Sequence, residues 1–229
     1  MWKSTSNGQI LHFYLAGINN QNFLMRDRET GTWWQQVTGK ALFGPLRGST
    51  LDRVLNDEVT FADWKTESPA GQVLAPVAKY NKEYEKDWET SVGKLPVTVS
   101  FPGQGLGDRA IIVGIALNGE ARAYPLETLK TQSPIQDQVG GTPILLVVGD
   151  DGKSIRAFES RGGGETLEFF KKTDSTSSPL VDATGGQWNF RGCATEGSHA
   201  GHCLEQISFL KDYWFDWRNY HSNTTVYRH

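Results

Sequence analysis

The chain has 229 residues and a net charge of −3, with 38% hydrophobic and 21% charged residues, enough to bury a core without disulfide or metal staples. Its longest basic run is Lys171-Lys172, which speaks against a phosphate-tracking nucleic-acid surface. Its most apolar stretch, Ala110 to Leu117, is too short to span a membrane, and the start MWKSTSNGQILHF has no apolar h-region, so no signal peptide is expected in this chain.

In chain order, Gln9 to Gly17 is predicted as a strand, Phe23 to Arg26 as a second and Trp33 to Val37 as a third, the last delivered by an Arg28-Glu29-Thr30-Gly31 turn. Gly39 to Gly48 reads as a glycine-punctuated hairpin or loop. Thr60 is placed to cap a short helix over Phe61 to Thr66, stopped by Ser68-Pro69. Val77 to Glu89 is helix-prone but heavily charged, with Lys82/Lys86 and Glu85/Glu89 at like-charge spacing, so it reads as a solvated connector. Beyond it, Ile111 to Leu117 and Ala121 to Tyr124 flank Asn118-Gly119, a strong hairpin signal. A helical turn at Leu126 to Lys130 follows, then Ile144 to Val148 as a buried central strand and Ser154 to Phe158 as the next. Thr166 to Phe170 and Leu180-Val181 read as further strands. Leu204 to Tyr220 is predicted as a longer helix, because Ile207, Leu210, Trp214 and Trp217 recur at three- and four-residue spacing.

Two segments of the chain resemble each other. Gly39 to Trp64 aligns without a gap on Gly192 to Trp217 at an offset of 153, matching Gly39/Gly192, Ala41/Ala194, Gly44/Gly197, Gly48/Gly201, Leu51/Leu204, Asp63/Asp216 and Trp64/Trp217. The second copy has Cys193, His199, His202 and Cys203 where the first has Lys40, Leu46, Ser49 and Thr50. A counterpart of Val97 to Phe158 is missing ahead of the first copy. The expected architecture is therefore α+β, predominantly antiparallel β with short packed helices and an internal duplication. The expected organisation is an incomplete first unit over 1–76, a connector over 77–96 and a complete second unit over 97–229. Unpaired strand edges of the incomplete first unit would favour self-association.

Four stretches, DRETGTWWQQVTGKALFGPLRG, VGIALNGEARAYPLETL, DQVGGTPILLVVGD and YWFDWRNYHSNTTVY, resemble the domain-of-unknown-function 3179 family over nearly the whole chain. The resemblance implies a bacterial or archaeal protein of an often duplicated type that is commonly exported or membrane-attached. It implies no activity. Many members carry a Cys-x-x-Cys pair after the buried strand; this chain has Val147-Val148-Gly149-Asp150 there, so no redox or metal role carries over from that pair.

Cys193, His199, His202 and Cys203 form a chemically complete donor set for tetrahedral zinc, and are soft enough for copper, although the spacing matches no familiar zinc finger. Cys193 and Cys203 at the two ends of one hairpin are well placed for a disulfide instead, the default in an exported protein and the reading preferred over the metal site. Gly197-Ser198-His199-Ala200-Gly201 is not a nucleophile elbow, because serine occupies its second position. Asp216 and its counterpart Asp63 sit between apolar neighbours and, with His199, are the candidates for acid–base work, against a structural role in binding an amide or an arginine. Gly103 to Gly107 lacks the Lys-Ser/Thr and helix of a phosphate loop. Three functional classes follow. They are an extracytoplasmic accessory or binding protein without catalysis, a metal-binding protein or metalloenzyme built on the cysteine–histidine hairpin, and a hydrolase with a pocket between the two units.

Overall fold

The Asn118-Gly119 turn forms as its residue types require. Both residues take positive φ, 49° and 85°, and Ile111–Leu117 pairs antiparallel with Glu120–Pro125 around them. The computed structural model describes residues 1–172 and 179–228. The hairpin is the middle of a four-stranded sheet, flanked by Leu210–Tyr213 and, in the parallel sense, by Thr225–Val226.

Layers build outward from this hairpin. Ile112, Ala121 and Ala123 face Trp214 and Trp217 of the C-terminal helix Trp214–Tyr220. Gly114 makes that approach close enough, since an added Cβ would lie 2.6 Å from Trp217 Cδ2. On the opposite face, Val113, Ile115 and Tyr124 pack on Ile144, Leu146, Ile155 and Ala157 of a second sheet. That sheet has Thr142–Val148 at its centre, between Ile135–Val139 and Ile155–Glu159. Its other face sends Leu145, Val147 and Phe158 against Phe169, Leu180 and Trp188 of a third, smaller sheet. Ile111–Leu117 and Thr142–Val148 thus bury both faces, which is why they read as continuous apolar runs rather than alternating ones.

The N-terminal sheet is a meander of Phe13–Asn19, Asn22–Asp27, Trp33–Gln35 and Ala41–Phe43. Leu11, Trp34, Ala41 and Leu51 form its core, with Trp2, Phe13, Met25 and Leu46 packed against them. The fold is mostly antiparallel sheet with short helices, as the sequence indicates.

Two predicted helices differ. Leu204 to Tyr220 is helical only over Trp214–Tyr220; Leu210–Tyr213 is a strand, and the residues before it are extended. Neighbouring edges take up this segment's amides. Ile207 N–H donates to Ala157 O, Gln206 bridges Phe158, and Leu210 to Tyr213 pair with Gly114 to Ile111. Tertiary hydrogen bonding therefore overrides the helical period of the apolar residues. In the connector, only Ala78–Tyr80 forms a 3₁₀ turn and Trp88–Val92 a short helix. With no apolar stripe to bury and like charges one turn apart, nothing holds a longer helix there.

The two ends of the chain interlock. Thr60 does cap Phe61–Glu67, accepting from Asp63 N–H, and residues just before this helix pair with the second sheet through Ile155 N–H to Glu58 O. The buried Arg156 guanidinium bonds Glu67 at 2.8 and 2.7 Å and Asp57 at 3.0 Å. In the reverse direction, the C-terminal helix meets the N-terminal sheet: Asn22 Nδ2 donates to Asp216 Oδ2 at 2.9 Å and Tyr220 O–H to Asn19 O at 3.3 Å.

Candidate functional site: a carboxylate pair in a cleft

The glycine hairpins explain the residue pattern they share. In the second, Ala194 N–H bonds His202 O, Gly201 N–H bonds Ala194 O and Leu204 N–H bonds Gly192 O. In the first, the same bonds run from Ala41 to Ser49, Gly48 to Ala41 and Leu51 to Gly39. Gly39 and Gly192 have φ of 68° and 76°, and a Cβ on either would press into the ring of Trp2 or Phe158. A buried aspartate anchors each hairpin. Asp27 accepts from Trp34 Nε1 at 2.8 Å and from Thr30; Asp182 accepts from Trp188 Nε1 at 2.8 Å, Thr184 and Gly186. Burial alone would raise the Asp182 carboxyl, but these donors outweigh it and hold it at about 2.

Where the second hairpin has its thiols, the two sulfurs are joined: Cys193 and Cys203 form a disulfide across a bridge with Cα atoms 3.9 Å apart. Lys40 and Thr50 make the equivalent bridge in the first hairpin without a covalent link. In this oxidised state neither sulfur is a free thiolate donor, and His199 and His202 lie against the Trp188 ring at 5.9 and 6.2 Å. Among the described residues no three His, Cys, Asp or Glu side chains come together as a metal-binding group. His199 Nδ1 is 3.2 Å from Ser198 Oγ and 3.5 Å from Asp182 Oδ2. A serine–histidine–aspartate relay needs one ring nitrogen for each partner, and here both contacts converge on Nδ1.

Asp63 and Asp216 have different surroundings. Asp63 Oδ2 and Asp151 Oδ2 each lie 2.6 Å from Ser154 Oγ and compete for its one proton, and that hydroxyl also accepts from Thr60 N–H at 2.9 Å, a structural junction between helix and second sheet. Asp216 instead stands in a cleft. A cavity of about 350 Å³ separates the N-terminal sheet from residues 208–216, and Trp2, Asn22, Arg53, Ser208, Asp212 and Asp216 are on its wall. Asp212 is the last residue but one of the strand and Asp216 lies in the first turn of the helix that follows, so the strand-to-helix junction brings the two carboxyls together. Burial and then the neighbouring Asp216 push Asp212 up to about 8; burial raises Asp216 as well, against the opposing effect of Asn22. One proton is thereby shared between two carboxyls. Asp216 is only 6% exposed, and its Oδ1, like Ser208 Oγ, is buried without a hydrogen-bond partner in the chain.

Cations near the pair are engaged elsewhere. Lys211 Nζ is 2.5 Å from Glu58, and Arg109 spends its guanidinium on the carbonyls of Leu95 and Pro96 while stacking on Tyr213 and Phe215. His221, 3.8 Å from the Trp217 ring, is lowered to about 4 by burial and by Arg53 and Lys40.

A family model described as protein of unknown function (DUF3179) matches residues 2–224. The chain belongs to that family. No curated protein and no solved structure matches the chain. Of the sequence candidates, Asp216 alone reaches the cleft; Asp63 lies at the helix junction and His199 on the Trp188 ring. Asp212, Ser208 and Asn22 escaped the sequence reading. The available signal was a second aspartate four residues before Asp216, a like-charge spacing in an otherwise apolar stripe.

Proposed function

We propose that this is an extracytoplasmic accessory protein, built by internal duplication, that binds a small polar ligand in the cleft at Asp212 and Asp216. The observation that carries the reading is the nearly buried Asp216 carboxylate, on a cavity wall beside Asp212, with one oxygen that no amide, amine or hydroxyl of the described residues reaches and only the proton shared with Asp212 to serve it. A desolvated polar atom without a partner is costly, and a ligand that supplies the donor recovers that cost. The disulfide supports an oxidising compartment, and hydrogen bonds recurring at an offset of 153 support the duplication. The strand Phe13–Asn19 is the outer member of its sheet, with Leu15 and Ile18 exposed, which supports self-association along that edge. Thermal-shift screening of sugars, polyols, amino acids and small carboxylic acids tests the reading. A stabilising class is expected, and its effect should vanish in Asp216→Asn. Equal stabilisation of both proteins, or of neither by any class, overturns it.

The proton-sharing pair favours one second reading, acid–base hydrolysis between the halves, in which Asp212 donates a proton and Asp216 accepts one. An ester, lactone and glycan panel should then show turnover that Asp212→Asn and Asp216→Asn each abolish. Zinc or copper held by Cys193, His199, His202 and Cys203 would require the reduced hairpin. Elemental analysis before and after reduction tests that alternative, and metal-free protein in both states ends it.

A further inference from the structure

Among the described residues neither the acidic pair nor the Arg53 guanidinium on the cleft wall makes a salt bridge, although Arg109 acts on Asp216 from a distance, and the Met1 amino group on the same wall bonds Asn56. The Asp212–Asp216 pair makes no salt bridge, because Lys211 is committed to Glu58 and Arg109 to the carbonyls of Leu95 and Pro96. Asp216 is only 6% exposed, and neither its Oδ1 nor Ser208 Oγ is reached by an amide, amine or hydroxyl of the described residues, the carboxylate having only the proton it shares with Asp212. On the wall of the same cavity, the Arg53 guanidinium rests 5.3 Å from the centre of the Trp2 ring, and no carboxylate of the described residues is within ion-pair distance of it.

A neutral polyol would satisfy the acceptors but leave both charges uncompensated. A lone carboxylic acid would suit Arg53 and be repelled by the pair. A lone amine would do the reverse. An inorganic dication would find two carboxylates, but among the described residues no third His, Cys, Asp or Glu joins them as a metal-holding group, Glu58 on the same wall being paired with Lys211. A primary ammonium has three donors and no acceptor, which matches two carboxylates and a hydroxyl oxygen. A carboxylate matches the planar fork of a guanidinium.

We propose that the cleft takes a small zwitterion of the α-amino-acid type, its ammonium group held by Asp212, Asp216 and Ser208 and its carboxylate by Arg53. The assignment rests on the reading of the cleft as the ligand site. The proton shared by the two aspartates stays with them, so the pair's single negative charge meets the ammonium and Arg53 meets the ligand's carboxylate, and the charges in the filled cleft sum to zero.

Isothermal titration calorimetry on the oxidised full-length protein tests this with the standard L-amino acids taken singly, their methyl esters, their N-acetyl derivatives, glucose, glycerol and the chlorides of magnesium, calcium and zinc. At least one free amino acid should bind, and its ester and its N-acetyl form should each bind at least about tenfold more weakly, the loss expected for one charge-assisted contact. Arg53→Gln should weaken the free amino acid to the level of its ester while leaving the ester unchanged. That equality distinguishes a lost ion pair from a damaged fold, and an unchanged circular dichroism spectrum confirms the variant is folded. Blocked forms binding as tightly as the free amino acid overturn the zwitterion. So does a sugar, polyol or metal ion whose binding Asp216→Asn removes, an outcome that leaves the cleft itself as a ligand site. Binding by no probe overturns both the zwitterion and the cleft.

Discussion

Replacing Asp212 with asparagine should stabilise the protein at alkaline pH and leave it unchanged in acid. An aspartate in an unfolded chain titrates near 3.9, whereas Asp212 in the fold is pushed up to about 8 by burial and by Asp216. Below the unfolded value both states are protonated and the group costs nothing. Between the two values the folded chain holds a proton that the unfolded chain has released, so stability falls by about 1.4 kcal/mol per pH unit. Above the folded value the penalty is constant. A span of about four pH units gives a ceiling of about 5.5 kcal/mol; because Asp212 is only half-buried on a cavity wall, we expect about 2 kcal/mol. Asparagine keeps the oxygen that accepts from Tyr213 N–H and supplies a permanent donor toward Asp216. Urea denaturation followed by tryptophan fluorescence, at about pH 4 and about pH 9, reads the difference directly, since Trp214 and Trp217 are buried on the same helix. A variant no more stable than wild type in alkali, or equally more stable in acid, would refute the reasoning.

Other consequences are as definite. Replacing both Cys193 and Cys203 with serine opens a ring of sequence separation 10 and should cost about 2–3 kcal/mol in denaturant midpoint terms, with the far-ultraviolet spectrum retained. Gly114→Ala forces a methyl into the Trp217 ring from the centre of a buried strand; a loss of about 2–3 kcal/mol is expected, and a neutral result would mean the helix can move away. Trp188→Phe removes the indole donor from a carboxylate that is 3% exposed and should cost about 2 kcal/mol at neutral pH. Asp182 is held at about 2, below its unfolded value, so its contribution is present above about pH 4 and is lost as pH falls toward 2. The acid limb of the stability curve should flatten in Asp182→Asn, and an unaltered limb would assign acid unfolding to other groups.

Much of the frame was legible because its causes are local. Asn118-Gly119 specifies its turn by φ, Thr60 caps the helix beside it, and the Cys193/Cys203 spacing suits a hairpin closed by sulfur. The apolar period of 207–217 misled because strand and helix share residues there, and only the edges at Ala157 and Gly114 decide which conformation Leu210 adopts. The site was half visible. Asp216 drew notice through its repeat partner, but the two aspartates of the pair have no meaning until Asn22, 194 residues away, closes the cleft. Asp63 shows the opposite case. It shares the repeated motif, yet Ser154 gives it a neighbour that no offset could announce.

The helices of the two halves exchange their acids. Asp63, from the earlier helix, is received by Ser154 beyond the connector, and Asp216, from the later one, by Asn22 near the start. Each half therefore completes the other, and neither carries its own acceptor's donor. Expressed alone, either would expose a carboxylate built for a contact it no longer has. Heating the intact chain should accordingly produce one calorimetric transition rather than two, whatever the sequence suggests about separate units.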